Sequence, residues 1–172
     1  SSSAAVYGEN TNGVAIDENF DLSPTNPYGL SKLTCENWFK SYQDLYGLDY
    51  IALRYFNAFG ERQQGGSPYA GVLGNWMQAL HFNKPLIVYG DGEQVRDFIH
   101  ASDIAKANIA AANADNHNHN VYNICSGEGY SLNTILDNIK SLLGDNFTVI
   151  NKETRKGEVR TSVGSNIRIE SD

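Results

Sequence analysis

The stretch that decides the fold is YGLSKLTCENWFKSYQDLY at residues 28–46, followed after Gly47 by YIALRYF at residues 50–56. The first part spaces its apolar side chains three and four residues apart, which predicts a helix with Gly47 as its C-terminal stop. The second part is rich in β-branched and aromatic residues, which predicts a buried strand. A helix that leads directly into a buried strand is typical of α/β proteins with a parallel sheet.

The rest of the chain continues this alternation. Residues 1–8 read as the end of a strand that runs into a polar loop over 9–27. The further predicted elements are helices over 70–82, 101–113 and 131–143 and strands over 86–89 and 121–124. Ser102 is a candidate cap for the helix over 101–113. Trp38 and Trp76 lie on apolar helical stripes and are predicted core residues. The predicted fold class is α/β.

Composition excludes several kinds of function. The 172 residues carry 13 Lys and Arg against 20 Asp and Glu, a net charge of −7, so we expect no general nucleic-acid-binding surface. No run approaches 18 apolar residues, so we expect no membrane span. Cys35 and Cys125 form neither a disulfide framework nor a metal pattern, and they fit either a reducing compartment such as the cytoplasm or chance. His117 and His119 lie in an Asn-rich loop, and we expect no metal site there.

Tyr28 and Lys32 form the most chemically suggestive pair. Their i, i+4 spacing places both side chains on one helix face. A lysine ammonium close to a phenol favours the phenolate, so such a pair can act as a general base. Tyr and Lys are frequent in this chain, so the spacing alone is a weak signal. A serine-rich strand end at residues 1–3 strengthens it, because a serine hydroxyl is a natural partner for an oxygen that loses its proton.

With these residues in place, the chain resembles the extended short-chain dehydrogenase/reductase family, and more narrowly its NAD-dependent nucleotide-sugar epimerases and dehydratases. SSSAAVYG at 1–8 and SPTNPYGLSK at 23–32 carry the resemblance. It continues through LRYFNAFGERQ at 53–63, VYGDGEQVRDFIH at 88–100, VYNI at 121–124 and RKGEVR at 155–160. The resemblance implies that residues 1–60 are the C-terminal part of a Rossmann-like, doubly wound parallel sheet. Residues 61–172 would mainly be a small α/β substrate-binding region, with some segments returning to the sheet.

The resemblance also implies roles for individual residues. Ser3 would hydrogen-bond the sugar hydroxyl, Tyr28 would be the acid/base, and Lys32 would hold the nicotinamide ribose of NAD. Phe56 would lie beside the nicotinamide. The residues implied to bind the nucleotide-sugar are Asn57, Arg96 and Arg155 at the diphosphate, Glu158 at the ribose, Val88 and Tyr89 at the base, and Gln63 at an N-acetylated sugar.

Three other polar residues have competing interpretations. Arg54 is predicted to be a structural ion-pair partner rather than a ligand contact. His100 is predicted to be a packed or capping histidine rather than a catalytic one. Arg160 has two equally supported interpretations, as a substrate contact or as a surface residue.

The positions after the active-site serine bear on the reaction. Family dehydratases usually carry an Asp-Glu pair there, whereas this chain has Ala4 and Ala5. The resemblance therefore favours 4-epimerisation of a UDP-sugar, either UDP-glucose/galactose or its N-acetylated counterpart. Tyr28 would take the C4 hydroxyl proton while NAD accepts hydride, and hydride would return to the other face of a 4-keto intermediate. Dehydratase or decarboxylase activity is the alternative within the family.

One departure from the family pattern limits these expectations. The family's Gly-rich turn, which binds the cofactor pyrophosphate between a strand and a helix, is not found in these residues. We therefore expect this chain to lack turnover alone, with the cofactor half supplied elsewhere. A nucleotide-sugar-binding fragment without catalysis is the second candidate. The helix over 28–45 commonly forms a dimer contact in the family, so the expected partners are a second copy or the missing half.

Overall fold

A computed structural model gives the fold and describes residues 1–10, 13–67, 70–155 and 157–172. The helices confirm the predicted ones to within two residues, and a short fifth helix was not predicted. They are α1 (Pro27–Tyr46), α2 (Val72–His81), α3 (Ala101–Ala112), α4 (Leu132–Leu143) and α5 (Ile167–Ser171).

The strands include the four that the sequence predicts, counting the strand end within residues 1–8, and several short ones that it does not. They are β1 (Ser2–Ser3), β2 (Ala52–Tyr55), β3 (Asn57–Phe59), β4 (Leu86–Tyr89), β5 (Val95–Arg96), β6 (Phe98–His100), β7 (Val121–Ile124), β8 (Tyr130–Ser131), β9 (Val149–Lys152) and β10 (Thr161–Ser162). The missed strands span only two to four residues. Alternation over so few residues leaves no period to detect.

The central sheet has the strand order β1-β2-β7, and both pairings are parallel. Ser3 lies opposite Tyr55, which in turn lies opposite Ile124. The carboxyl ends of all three strands therefore meet at one edge, where α/β proteins bind their ligands. Two further parallel pairs, β3-β6 and β4-β9, and a small mixed sheet of order β10-β5-β8 extend the fold beyond this edge.

Three apolar clusters form the core. The first joins α2, β4 and α4 and contains Trp76, Leu86, Val88, Leu132, Leu136 and Ile139. The second lies under the end of β1 and contains Val6, Tyr7, Ile16, Phe56 and Cys125. The third joins the central sheet to α3 and α5 and contains Leu53, Ile99, Tyr122 and Ile124. The first and second clusters flank the edge at which the candidate site lies.

The face that α1 presents to solvent differs from the prediction. Trp76 is 1% exposed and confirms its predicted place in the core, whereas Trp38 is 62% exposed, so the prediction for Trp38 is wrong. Helical periodicity identifies an apolar stripe but does not say which face meets the sheet. The face that packs inward carries Gly29, Leu33 and Glu36. The expected dimer contact through the helix over 28–45 stays a prediction.

The start of α3 is capped differently from the prediction. Ser102 was the candidate cap, but the N-cap is His100, whose Nδ1 accepts the backbone N–H of Ser102 at 3.2 Å. The prediction of His100 as a capping residue is confirmed. An imidazole nitrogen can accept this hydrogen bond as a serine hydroxyl does. The prediction chose Ser102 because serine is among the residue types preferred at helix N-caps.

Within the described ranges, no helix combines the length and apolar character needed to cross a bilayer.

Candidate functional site

The end of β1 turns sharply above the central sheet. Ser3 caps a 3-10 turn over Ala4–Val6, and its Oγ accepts the backbone N–H of Ala5 at 3.2 Å. Ala4 and Ala5 follow in the turn with side chains that carry no ionisable group. This turn therefore presents one hydroxyl and two methyl groups at the carboxyl edge of the sheet.

The first turn of α1 packs directly on this 3-10 turn. Asn26 caps α1 by accepting the backbone N–H of Gly29 at 2.8 Å, and Pro27 stands at the first helical position, where its fixed φ suits a helix start. A Cβ atom built on Gly29 would overlap the carbonyl oxygen of Ala5. Glycine thus permits the close approach that brings Tyr28 to the end of β1.

Tyr28 and Lys32 share one face of α1, as their spacing predicts. The Lys32 Nζ lies 5.8 Å from the centroid of the Tyr28 ring and donates to the carbonyl oxygen of Ser1 at 3.1 Å. Tyr28 is 49% exposed, so about half of its surface is open to solvent. The structure therefore brings the phenol, the ammonium and the serine strand into one region.

A buried ion pair holds α1 against the sheet one turn beyond Lys32. Glu36 accepts from Arg54 on β2 through both carboxylate oxygens, with Nη2–Oε2 at 2.6 Å and Nε–Oε1 at 3.0 Å. Ser2 also donates to Glu36. The Arg54 and Glu36 side chains are only 4% and 8% exposed. The predicted structural role of Arg54 is confirmed.

This ion pair continues into a polar network under the site. Arg54 Nη1 donates to the hydroxyl of Tyr7 at 2.9 Å, and that hydroxyl donates to Asn123 at 2.6 Å. Burial raises the pKa of Tyr7 to about 12. Tyr7 therefore stays a neutral donor at neutral pH and ties the end of β1 to β7.

Asn57 and Asp97 fix the next part of the edge. Asn57 donates its backbone N–H and its side-chain Nδ2 to the carbonyl oxygen of Asp97, at 3.0 and 2.7 Å. The Asp97 carboxylate is fully buried and accepts from the backbone N–H groups of Ser126, Gly127 and Gly164 and from the Ser126 hydroxyl. Asp97 thus fastens β6, the loop after β7 and the segment after β10 to each other.

These elements surround a hollow of about 270 Å³, termed the first hollow. It lies between the end of β1, the start of α1 and the small mixed sheet. Its wall includes Ser3, Ala4, Ala5, Phe56, Asn57 and Arg96. Five of these six positions are small, apolar or amide residues, and Arg96 supplies the positive charge.

Arg96 is held at the far side of the first hollow by an ion pair with Glu158. The distance from its Nη2 to Glu158 Oε1 is 2.6 Å, and Nη1 donates to the carbonyl oxygen of Val95 at 2.9 Å. The side chains are 13% and 23% exposed. Burial lowers the pKa of Arg96 below its usual value, because desolvation disfavours the charged guanidinium, and the Glu158 carboxylate opposes this shift.

A second hollow of about 500 Å³ opens on the other side of Glu158. Its walls are largely apolar, and Arg155 stacks over the Tyr89 ring with its Cζ 3.8 Å from the centroid. A hydrogen bond from Arg155 lowers the pKa of Tyr89. The wall residues that define this second hollow are Trp76, Ile87, Tyr89, Leu132, Arg155 and Glu158. Such a lining has the polarity to hold an aromatic ring next to an anionic group.

The structure does not bring every predicted site residue to these hollows. Val88 is 1% exposed and its side chain packs in the core cluster with Trp76. Gln63 is exposed, donates to the carbonyl oxygen of Ala58 at 3.1 Å, and packs against Gly74 of α2. Arg160 pairs with Asp91 at 2.7 Å, on the surface.

Sequence reasoning missed Glu36 and Asp97. Glu36 follows Tyr28 and Lys32 at the same four-residue step, so the spacing alone predicts that all three lie on one helix face. A carboxylate in that position nonetheless looks like ordinary surface charge. Asp97 was quoted beside Arg96, but its role depends on three backbone N–H groups from distant segments. Among the described residues no group of three metal-ligating side chains occurs.

A parallel α/β sheet with hollows at the carboxyl edge of its strands is typical of Rossmann-like proteins. A family model described as the NAD dependent epimerase/dehydratase family matches residues 1–125. The chain belongs to this family.

Known relatives agree with this assignment. The chain is 42% identical over 159 residues to a putative UDP-glucose 4-epimerase of Methanocaldococcus jannaschii, covering 92% of this chain and 50% of that protein. The chain thus spans about half the length of the curated relatives that it matches.

Two solved structures show the same fold. One is a UDP-N-acetylglucosamine 4-epimerase from Methanobrevibacter ruminantium in complex with UDP-N-acetylmuramic acid. It superposes with a TM-score of 0.90 at 40% identity, covering 98% of this chain and 54% of that one. The other is a UDP-glucose 4-epimerase from Thermus thermophilus in complex with NAD. Its TM-score is 0.88 at 29% identity, covering 99% of this chain and 55% of that one.

Proposed function

We propose that this chain supplies the acid/base and nucleotide-sugar-binding part of a NAD-dependent UDP-sugar 4-epimerase. The observation that carries the proposal is the first hollow, where Ser3, Asn57 and Arg96 meet. A sugar held there would lie beside a hydroxyl, with its diphosphate toward a guanidinium. The largely apolar walls of the second hollow would receive the base.

The residues near β1 support a nicotinamide cofactor at this edge. Phe56 is 5% exposed and lines the first hollow, while the Lys32 ammonium reaches the first residue of the β1 segment. An aromatic ring and an ammonium donor fit the nicotinamide end of NAD and its ribose hydroxyls. When bound, NAD supplies the hydride acceptor and donor for chemistry at C4.

The chain's own residues would handle the proton. The Tyr28 phenolate takes the proton of the sugar C4 hydroxyl, and the same phenol returns it after the ketone has turned over. Ser3 donates a hydrogen bond to the sugar oxygen and stabilises the charge that develops on it.

The composition of the turn supports epimerisation over elimination. Elimination of water needs a further acid or base close to the neighbouring carbon. Ala4 and Ala5 line the first hollow at that point and can transfer no proton. A dehydratase would have to place such a group elsewhere in the wall.

A second candidate is a nucleotide-sugar-binding chain without catalysis. The two candidates share the nucleotide-sugar site and differ in whether the cofactor is held.

Calorimetric titration tests the shared site. UDP and NAD are titrated separately into the chain, into Arg96→Ala, and into Lys140→Ala, which removes one positive charge from α4 at a position outside both hollows. We expect UDP to bind and Arg96→Ala to weaken it roughly 10- to 100-fold, as for loss of a hydrogen bond to a charged group. Lys140→Ala should match the unaltered chain.

Two results would contradict the proposal: no UDP binding, or equal UDP affinity with and without the Arg96 guanidinium. Binding of UDP but not of NAD would favour the second candidate for the isolated chain. Binding of both would favour the first.

A further inference from the structure

Ser2 stands next to the proposed sugar-binding serine but does not line the first hollow. It is buried, with 5% of its surface exposed, and its hydroxyl donates to the Glu36 carboxylate of α1. Ser3 follows it in β1 and lines the first hollow. Successive side chains of a strand point to opposite faces. The two hydroxyls of β1 therefore have separate surroundings, one in the interior and one at the hollow.

The Glu36 carboxylate bridges two residues that lie opposite each other in the central sheet. Ser2 of β1 is the register partner of Arg54 of β2. Both side chains donate to this carboxylate. The Arg54–Glu36 ion pair by itself joins only β2 to α1. The Ser2 hydroxyl thus adds β1 to a buried ion pair that is already complete between the other two elements.

The backbone ladder that holds β1 against β2 is short. It comprises two residue pairs, Ser2 with Arg54 and Ser3 with Tyr55. A slip by one residue would turn the Ser3 side chain to the opposite face of the sheet. The Ser2 hydrogen bond opposes such a slip, because a bond to a carboxylate is stronger than one between neutral groups. Ser3 therefore reaches the first hollow with its register fixed by the preceding side chain.

We propose that Ser2 is a positioning residue, whose hydrogen bond to Glu36 holds the Ser3 hydroxyl where it meets the sugar of a bound nucleotide-sugar. The inference rests on the proposed function, which places that sugar beside Ser3. Ser2 acts through Ser3, so its loss should weaken recognition of the sugar and leave recognition of the nucleotide unchanged. A residue that only stabilised the fold would affect both ligands alike, or neither.

Calorimetric titration with UDP-glucose and with UDP tests this role. Ser2→Ala removes the hydroxyl and keeps the Arg54–Glu36 ion pair. We expect Ser2→Ala and Ser3→Ala each to weaken UDP-glucose binding about three- to tenfold, as for loss of one neutral hydrogen bond. UDP affinity should change by less than about twofold. The double variant Ser2→Ala/Ser3→Ala should bind UDP-glucose as Ser3→Ala does, because both residues act through one contact.

The matched control is Gln43→Ala, on the same helix. The Gln43 side chain accepts a hydrogen bond from Asn120 at 2.9 Å, so the variant loses one contact between α1 and the segment before β7. That contact does not involve β1. Whatever its effect on the melting temperature, the control should keep UDP-glucose affinity within about twofold of the unaltered chain.

The Ala5 amide gives a second measurement that needs no ligand. Its N–H donates to the Ser3 Oγ at 3.2 Å, so its exchange with solvent deuterium, followed by NMR, depends on where Ser3 lies. We expect Ser2→Ala to speed this exchange about fivefold or more, whereas Gln43→Ala should leave it within about twofold.

The positioning role and the proposed function fail in different ways. If Ser3→Ala weakens UDP-glucose binding but Ser2→Ala does not, or if the two losses add in the double variant, the positioning role is wrong and the proposed function stands. If neither ligand binds and Ser2→Ala still speeds exchange at Ala5, the proposed function is wrong and Ser2 still positions Ser3. If neither ligand binds and exchange at Ala5 is unchanged, both are wrong.

Discussion

Individual buried charges connect α1 to the sheet. Tyr28, Lys32 and Glu36 follow each other at four-residue steps on α1, and Glu36 is the member that reaches the interior. Its ion pair with Arg54, and the hydrogen bond from Ser2, join the helix to the strand that carries Ser3. One carboxylate thus links the proposed proton-transfer group to the proposed sugar-binding hydroxyl.

Replacement of Arg54 by methionine should test the strength of this link. The change leaves the Glu36 carboxylate buried without its partner, so we expect a loss of about 3–5 kcal/mol in the free energy of unfolding. Urea unfolding followed by circular dichroism measures it. The double variant Arg54→Met/Glu36→Leu should recover most of the loss, because both charges are then gone.

The matched control is Lys106→Ala, which breaks an exposed ion pair with Asp103 on α3. It should leave the unfolding midpoint unchanged within error, since exposed pairs are weak. If Arg54→Met and Lys106→Ala destabilise equally, the buried pair does not anchor α1.

At the scale of elements, the contact between α1 and the 3-10 turn after β1 sets where the helix starts. Asn26 and Pro27 begin α1, and the left-handed Gly47, at φ 67°, ends it. Gly29 lies between these caps in a helical conformation that any residue can adopt. Its small size is required by the approach to Ala5, since the atoms of the two elements leave no room for a side chain.

Gly29→Ala should therefore destabilise the protein even though alanine is the better helix former by about 1 kcal/mol. The added methyl group would overlap the Ala5 carbonyl and lie 3.0 Å from the Pro24 Cβ. We expect a net loss of roughly 1–3 kcal/mol, as for overpacking of a tight contact. Measurements of the melting temperature and of the UDP affinity of the variant test this expected loss.

Ser31→Ala serves as the control, because it places alanine in the same turn at an exposed position. It should leave the melting temperature near that of the unaltered chain. A Gly29→Ala variant that is as stable as this control would show that the elements can separate without loss.

At the scale of the whole molecule, two buried groups predict how stability depends on pH. Burial raises the pKa of Tyr7 from 10.0 to about 12 and that of the Cys125 thiol from 9.0 to about 12. The folded chain thus keeps both groups protonated at pH values where the unfolded chain loses the protons. Their contribution is fully present below about pH 9 and is lost as the pH rises toward about 12.

Between about pH 7 and 9, the contribution of these two groups to the free energy of unfolding should stay constant. Between about pH 9 and 11.5, this contribution should fall. Tyr7→Phe removes the part of the fall that begins near about pH 10 and keeps the part that begins near about pH 9. Tyr46→Phe, on the exposed end of α1, should keep the full profile. Identical slopes above about pH 10 for Tyr7→Phe and the unaltered chain would contradict the assignment.

The sequence alone determined the elements with a clear period. The apolar spacing over 28–46 predicts α1, and the β-branched run at 50–56 predicts β2, because local periodicity reflects burial of one face. The four-residue step from Tyr28 to Lys32 places both side chains on one face wherever the helix lies. Family membership also follows from motifs that stand in order along the chain.

Only the tertiary structure decided which groups face each other. It placed the Trp38 stripe in solvent and turned Glu36 inward, since periodicity defines a helix face but not its neighbour. It joined Arg96 to Glu158 across 62 residues of chain. Contacts between residues so far apart in the sequence depend on the path of the backbone, and no local sequence pattern predicts them. The sequence therefore predicts the chemistry that the site can draw on, and the fold decides which charges are already paired there.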